Sequence, residues 1–198
     1  MISLEEATSI TAGIQKALKE GKPPAFAYDR VSDQANAGGI SLEYQETHAG
    51  YYAERNGLMI VHYFTVIESA RKEGRKVFNR MIDLAMQFNV KDLIFKNTDR
   101  MSRNYRDLMR IEDIYEKHGV TIHFYQTYRT LNQKSTYADK FIMNVEIAAA
   151  RQLSDKLSHD VRETQKFKAA RGVPPGRLPM GYSFSKEKRT IIIDPKHE

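Results

Sequence analysis

The chain has 198 residues, 41% of them hydrophobic, enough for one buried core and an appendage. It contains no run of 18 apolar residues and no cysteine, which excludes a membrane-spanning helix and any cysteine metal site within it. The net charge of +6 points to an anionic partner, most often nucleic acid. Met1 to Glu20 is acidic and polar, without the basic start and apolar centre of a secretory signal, and the lack of cysteine suits a reducing compartment.

Leu4 to Lys19 reads as a helix with Ile10, Ile14 and Leu18 on one face, stopped by Gly21 and Pro23-Pro24. Ala25-Phe26-Ala27-Tyr28 reads as a short buried strand ending near Arg30, and Asp33 to Gly39 as a polar loop. Ser41 is the expected N-cap of a helix through Asn56, closed by Gly57. Leu58 to Val66 is a second strand, Glu68 to Gly74 a charged loop, and Val77 to Phe88 a helix. Leu93-Ile94-Phe95 is a third strand, Tyr105 to His118 a helix with Leu108, Ile111 and Tyr115 on one face, and Val120 to Tyr125 a fourth strand. The aromatic residues Tyr51, Tyr52, Tyr63, Phe64, Phe124, Tyr125 and Tyr128 are expected in the core and at its rim.

Alternation of strand and helix predicts an α/β fold, a mainly parallel sheet with flanking helices. In such sheets functional groups gather beyond the carboxyl ends of the strands. Ser32, Glu68-Ser69 and Asp99-Arg100 all follow predicted strands and are expected at one sheet edge. From about Thr136, Phe141, Val145, Ala148-Ala149, Leu153, Leu157 and Val161 recur at helical spacing for some 30 residues without Gly or Pro. So long a helix outreaches a small domain, and its apolar stripe predicts a dimer. The Pro- and Gly-rich stretch after Gly172 is a linker or extended arm, and Thr190 to Asp194 a short strand. The expected organisation is an N-terminal helical extension over 1–22, an α/β domain over 23–135, a long helix over 136–170, and a linker or arm with a short strand over 171–198. Residues 151–198 hold 11 Lys and Arg against 6 Asp and Glu, leaving 20 against 19 for the first 150, so the basic excess lies in the arm.

A serine that attacks a DNA phosphodiester must lose a proton while negative charge grows on the phosphoryl oxygens. Guanidinium groups meet both needs without a metal, because each is planar, permanently charged and able to donate to two phosphate oxygens. Arg30 and Ser32 lie two apart on a strand and share a face. Arg100 and Arg103 lie three apart at a helix start, with Asp99 placed to orient an arginine or cap the helix. Arg75 is a fourth candidate guanidinium.

These segments resemble the serine recombinases, the resolvase, invertase and large phage-type integrase group. Tyr28-Asp29-Arg30-Val31-Ser32 is similar to the family's Tyr-x-Arg-x-Ser motif, and Ser41-Leu42-Glu43-Tyr44-Gln45 to its Ser-Leu-x-x-Gln segment. Glu68-Ser69-Ala70, followed by Arg75, resembles the loop that carries a serine and an arginine, and Asp99-Arg100-Met101-Ser102-Arg103 the Asp-Arg-Leu-Ser/Gly-Arg motif. The resemblance implies that Ser32 attacks the phosphate while Arg30, Arg100 and Arg103 bind it. One of these arginines, or Asp99 acting on it, would manage the proton. Ser69 and Arg75 would contact the phosphate or support the pocket, and Gln45 would orient neighbours. It further implies a 5′-phosphoserine link, religation without ATP, metal or other cofactor, and double-stranded DNA as partner. Assembly as a homodimer, and as a tetramer at synapsis, follows from the same likeness, as do a possible directionality factor and a cytoplasmic setting in a bacterial, phage or mobile-element context.

The long helix resembles the family's dimerisation helix, whose far end lies on DNA, and Lys166, Lys168, Arg171 and Arg177 are the expected DNA contacts. Where the family often has an Ile-Ser-Glu-Arg-like run, this chain has Leu153-Ser154-Asp155-Lys156, with Asp155 in place of the glutamate. Gly172 to Tyr182 is similar to the opening of the DNA-binding part of the large members. Three other readings explain less. A tyrosine recombinase would use His159, Arg162 and Tyr182, which lie on a polar helix and a linker. A metal nuclease needs clustered carboxylates or histidines, and the six histidines are scattered. A non-catalytic DNA-binding dimer leaves the arginine-serine set without a purpose.

Overall fold

The computed structural model describes residues 3–31, 40–67, 71–98, 105–174, 176, 178, 180–185 and 190–194. Its elements in chain order are α1 (Leu4–Lys19), β1 (Pro24–Val31), α2 (Ile40–Arg55), β2 (Met59–Ile67), α3 (Arg71–Gln87), β3 (Asp92–Phe95), α4 (Tyr105–His118), β4 (Thr121–Phe124), β5 (Arg129–Leu131), α5 (Tyr137–Ala170), β6 (Tyr182–Ser185) and β7 (Thr190–Ile193). Five strands form one sheet in the order β2-β1-β3-β4-β5. The first four run parallel and β5 is antiparallel to β4. Helices cover both faces, as a parallel sheet requires. The expected α/β class with a long C-terminal helix is the observed one.

Strand alternation divides the core in two. Phe26 and Tyr28 of β1, Leu93 and Phe95 of β3, and Ile122 and Phe124 of β4 join Phe78, Met81 and Ile82 of α3 and Ile111, Ile114 and Tyr115 of α4. On the opposite face Ala25, Ala27 and Ile94 pack against Ala49, Tyr52 and Ala53 of α2. Alanine on both partners brings α2 close to β1. Of the aromatic residues, Tyr52, Phe64, Phe124 and Tyr125 are buried, while Tyr51 and Tyr128 sit exposed at the rim.

Helix α1 packs beside α3 over β1 and β2, burying Ile10 and Ala17. A side chain added at Gly13 would stand 3.0 Å from Cβ of Val61, so glycine there lets the helix lie on the strand. Glu6 ties the layer together, bonding Arg80 of α3 and lying 3.4 Å from His62 of β2. Ile10→Ala should lower unfolding free energy by about 2–5 kcal/mol, because a fully buried side chain leaves a cavity under α1. Urea denaturation of the two proteins measures the difference.

Several expected boundaries are corrected. Helix α2 begins at Ile40, so Ser41 lies inside its first turn instead of capping it. Helix α3 begins at Arg71, six residues before Val77, and takes in half of the expected loop. Arg71, Lys72 and Glu73 are good helix formers that show no apolar period, which hides the first turn. Strand β5 was not expected; it is three residues long and mostly polar. Thr190 to Ile193 does form a strand, and it pairs antiparallel with the unexpected β6.

Contacts divide the chain into units over Met1–Ala148 and Ala149–Glu198. The first turns of α5 belong to the sheet unit through buried Met143 and Ile147. In the second unit α5 continues with Leu153, Leu157 and Val161 exposed, Leu153 at 70%. Among the described residues no helix is long and apolar enough to cross a membrane.

Candidate active site

Four polar or charged residues are buried among the described residues: Asp29, Arg30, Gln45 and His123. The first three meet at the carboxyl end of β1. Burying such groups costs free energy unless the fold or the function uses them, so their gathering marks this end.

Strand β1 is an interior strand, in register with β2 from Pro24↔Met59 to Val31↔Ile67 and with β3 from Ala25↔Asp92 to Tyr28↔Phe95. The motif tyrosine, Tyr28, is a core residue whose ring meets Phe78 of α3 at 5.9 Å and Phe95 at 5.6 Å. It anchors the strand end on which Arg30 sits. Arg30 is 8% exposed, and Gln45 accepts a hydrogen bond from its backbone N–H at 3.4 Å. Gln45 can reach it because Gln45, Ala49, Tyr52 and Ala53 form the buried stripe of α2. Gln45 and Arg30 thus meet through the strand backbone.

Asp29 faces the other way, toward α2, and is 1% exposed. Neither carboxyl oxygen has a hydrogen-bond partner. Burial pushes its carboxyl up to about 7; nearby Glu46 adds to the rise and Lys96 opposes it. Tyr63 of β2 is pushed up to about 12 by burial, with Asp29 and Glu46 adding to the effect. The motif pattern leaves the residue between Tyr28 and Arg30 unspecified, so it does not point to Asp29. The available signal is a carboxylate inside the strand, directly after the run Ala25-Phe26-Ala27-Tyr28.

Ser32 follows the last residue of β1, and Ser69 comes two residues after the last residue of β2. Both lie outside the described residues, as do Asp99, Arg100, Arg103 and Arg177. Arg75 is on α3, with its side chain outside the description. What the structure gives is where these segments start and stop. The parallel strands β1, β2 and β3 end at the same sheet edge, and α4 resumes two residues after Arg103. The chain beyond β3 is anchored up to the residue before Asp99. Asn97 donates to Gln126 at 3.2 Å, and Thr98 donates to Glu146 of α5 at 3.4 Å. Glu146 also accepts from Arg129 at 2.6 Å. It is thus the α5 carboxylate bonded beside this segment, which the sequence reading missed. Asp155 lies further along α5, exposed.

Of the expected DNA contacts, Lys166, Lys168 and Arg171 are exposed. Lys166 pairs with Glu163 at 2.9 Å, and the Arg171 guanidinium lies 4.0 Å over the Phe167 ring. His123 is held away from this edge, between the Tyr52 hydroxyl at 3.2 Å and Asp92 at 2.8 Å, where it ties α2 to β3 and β4. Among the described residues no three His, Asp or Glu are grouped as metal ligands would be.

Residues 25–174 match the family described as "Resolvase, N terminal domain". No curated protein matches the chain. The structure is similar to the N-terminal catalytic domain of TP901-1 integrase, at 20% identity and a TM-score of 0.50, covering 68% of this chain and 98% of that one. It is also similar to a resolvase family site-specific recombinase from Streptococcus pneumoniae, at 24% identity and a TM-score of 0.49, covering 75% of this chain and 99% of that one. The family match spans 25–174 and so takes in β1, the buried Arg30 and Gln45, the whole sheet and α5. The chain belongs to the resolvase N-terminal domain family.

Proposed function

We propose that the chain cuts and rejoins double-stranded DNA at specific sites, with Ser32 as nucleophile. The Ser32 hydroxyl oxygen attacks the scissile phosphorus and the 3′ oxygen leaves as a hydroxyl, so a 5′-phosphoserine link replaces the phosphodiester. Religation reverses the step. The link conserves the bond energy, and neither ATP nor a metal is called for. Arg30, Arg100 and Arg103 neutralise the charge that grows on the phosphoryl oxygens, and Asp99 orients one of them. Ser69 and Arg75 support the phosphate, while Gln45 holds the strand from which Arg30 projects.

One observation carries this reading: a charged guanidinium, Arg30, is kept 8% exposed at the carboxyl end of an interior strand, two residues before a serine. A non-catalytic DNA-binding dimer has no use for it. The exposed Leu153, Leu157 and Val161 stripe favours a homodimer through α5, and Lys166, Lys168, Arg171 and Arg177 would follow the DNA backbone. Two dimers at synapsis make the tetramer, and a directionality factor would act on it. The proposed division is an N-terminal extension (1–22), the catalytic domain (23–135), the dimerisation helix (136–170), and the start of a DNA-binding part (171–198).

The test is covalent capture. A nicked site loses a short fragment on cleavage and cannot be rejoined, so the intermediate accumulates. Peptide mass mapping is expected to find the nucleotide on Ser32. Attachment at any other residue overturns the assignment, and stable binding without attachment favours the non-catalytic dimer.

A further inference from the structure

We propose that Asp29 and Glu46 form a carboxyl pair at the end of β1 that carries Arg30, and that Asp29 must hold its proton for strand cleavage to run at full rate. Asp29 is then a positioning residue of the reaction, acting through its charge next to Arg30. The inference rests on the reading of Ser32 as nucleophile and adds a control that the arginine-serine set does not contain.

The geometry is that of a sealed acid. Ala25 and Ala27 of β1 pack with Ala49 and Ala53 of α2, and Asp29, further along the same strand, is 1% exposed. Its two carboxyl oxygens are buried without a hydrogen-bond partner. An ionised carboxylate in that position would be expected to recruit donors. The groups around it come from each packed element. Glu46 comes from α2, Tyr63 from β2, and Lys96 follows β3 next to Phe95, which stands opposite Tyr28. Tyr125, after β4, closes the same apolar cluster. Two carboxyls therefore face one lysine. With a proton on Asp29 the group of Asp29, Glu46 and Lys96 is neutral; without it a net negative charge is buried.

The direction of the pH effect follows. Burial first, then Glu46, raises Asp29 to about 7, so Asp29 keeps its proton in acid and loses it as pH rises through neutrality. Ser32 is three residues along the chain, hence within about 10 Å. At an effective dielectric of about 20, a new negative charge at that distance opposes binding and charging of the phosphate by about tenfold. Glu46 adjoins Gln45, whose side chain holds the Arg30 backbone, so the charge sits against the element that positions Arg30.

Two readouts test this on the full chain. The first is a carboxyl carbon NMR titration without DNA. Asp29 should inflect near pH 7, and Glu46→Gln should move the inflection down, since the like charge is gone. The second is the pH profile of covalent capture on a nicked site. The wild type should lose about tenfold relative to Asp29→Asn between pH 6 and 9, and Glu46→Gln should begin its fall at lower pH. An Asp29 inflection in the ordinary carboxylate range, or Asn and Asp chains with superimposable profiles, overturns the proposal. Absence of capture at every pH with the titration intact overturns the Ser32 reading and the positioning role with it, leaving the carboxyl pair itself standing.

Discussion

Ser32→Ala is expected to abolish covalent capture of cleaved DNA, by at least about 10⁴-fold, while duplex binding is retained. Removal of a nucleophile from an enzyme that works through a covalent intermediate leaves only what binding and charge stabilisation provide. Ser32 comes after the last residue of β1 and the change removes a single hydroxyl, so the variant should fold and melt like its parent. Ser69→Ala is the informative control. Ser69 has a supporting role in this scheme, so its loss should slow capture and leave Ser32 labelled. Gel separation of protein-linked DNA under denaturing conditions reads both. Survival of the link in Ser32→Ala would sink the mechanism.

Arg30→Ala should slow cleavage by about 10²–10³-fold, the range for removing one donor to a charged transition state. The site holds this guanidinium at 8% exposure, where an electrostatic contact is screened far less than on the surface. Arg30→Lys should recover only part of the rate, because an ammonium is a point charge and cannot donate in parallel to two oxygens. Single-turnover cleavage, measured alongside duplex affinity at fixed salt, distinguishes the two effects. If Arg30→Ala cleaves within about threefold of the wild type, Arg30 serves the scaffold and not the phosphate.

The parts legible in the sequence are those with a strong period or a strong stop. Helix α4 runs over Tyr105–His118 as expected, because Ile111 and Tyr115 keep the period and Gly119 ends it. Helix α5 is Tyr137–Ala170, close to the expected 136–170, since no Gly or Pro interrupts it. What was hidden lacked such a signal. The first turn of α3 is charged throughout, and β5 and β6 are short and carry polar residues. In the candidate site, motif spacing pointed to Arg30 and Gln45, both buried and bonded to each other's element. It could not point to Asp29 or Glu146. One fills an unspecified position of the motif, and the other's significance lies in reaching Thr98 and Arg129 from a distant part of the chain.

The interior place of β1 also governs how the protein emerges from the ribosome. This strand is complete at Val31, yet its flanking strands are Met59–Ile67 and Asp92–Phe95, and the edge of the sheet closes at Leu131. At about 5–20 residues per second, β1 waits about 5–20 s between its own synthesis and the last strand of its sheet. Until β2 and α3 follow, Phe26 and Tyr28 have only α1 on their face of the sheet to shelter them. Chaperone capture during translation should therefore concentrate on nascent chains that end between β1 and β3, and decline once β5 is out.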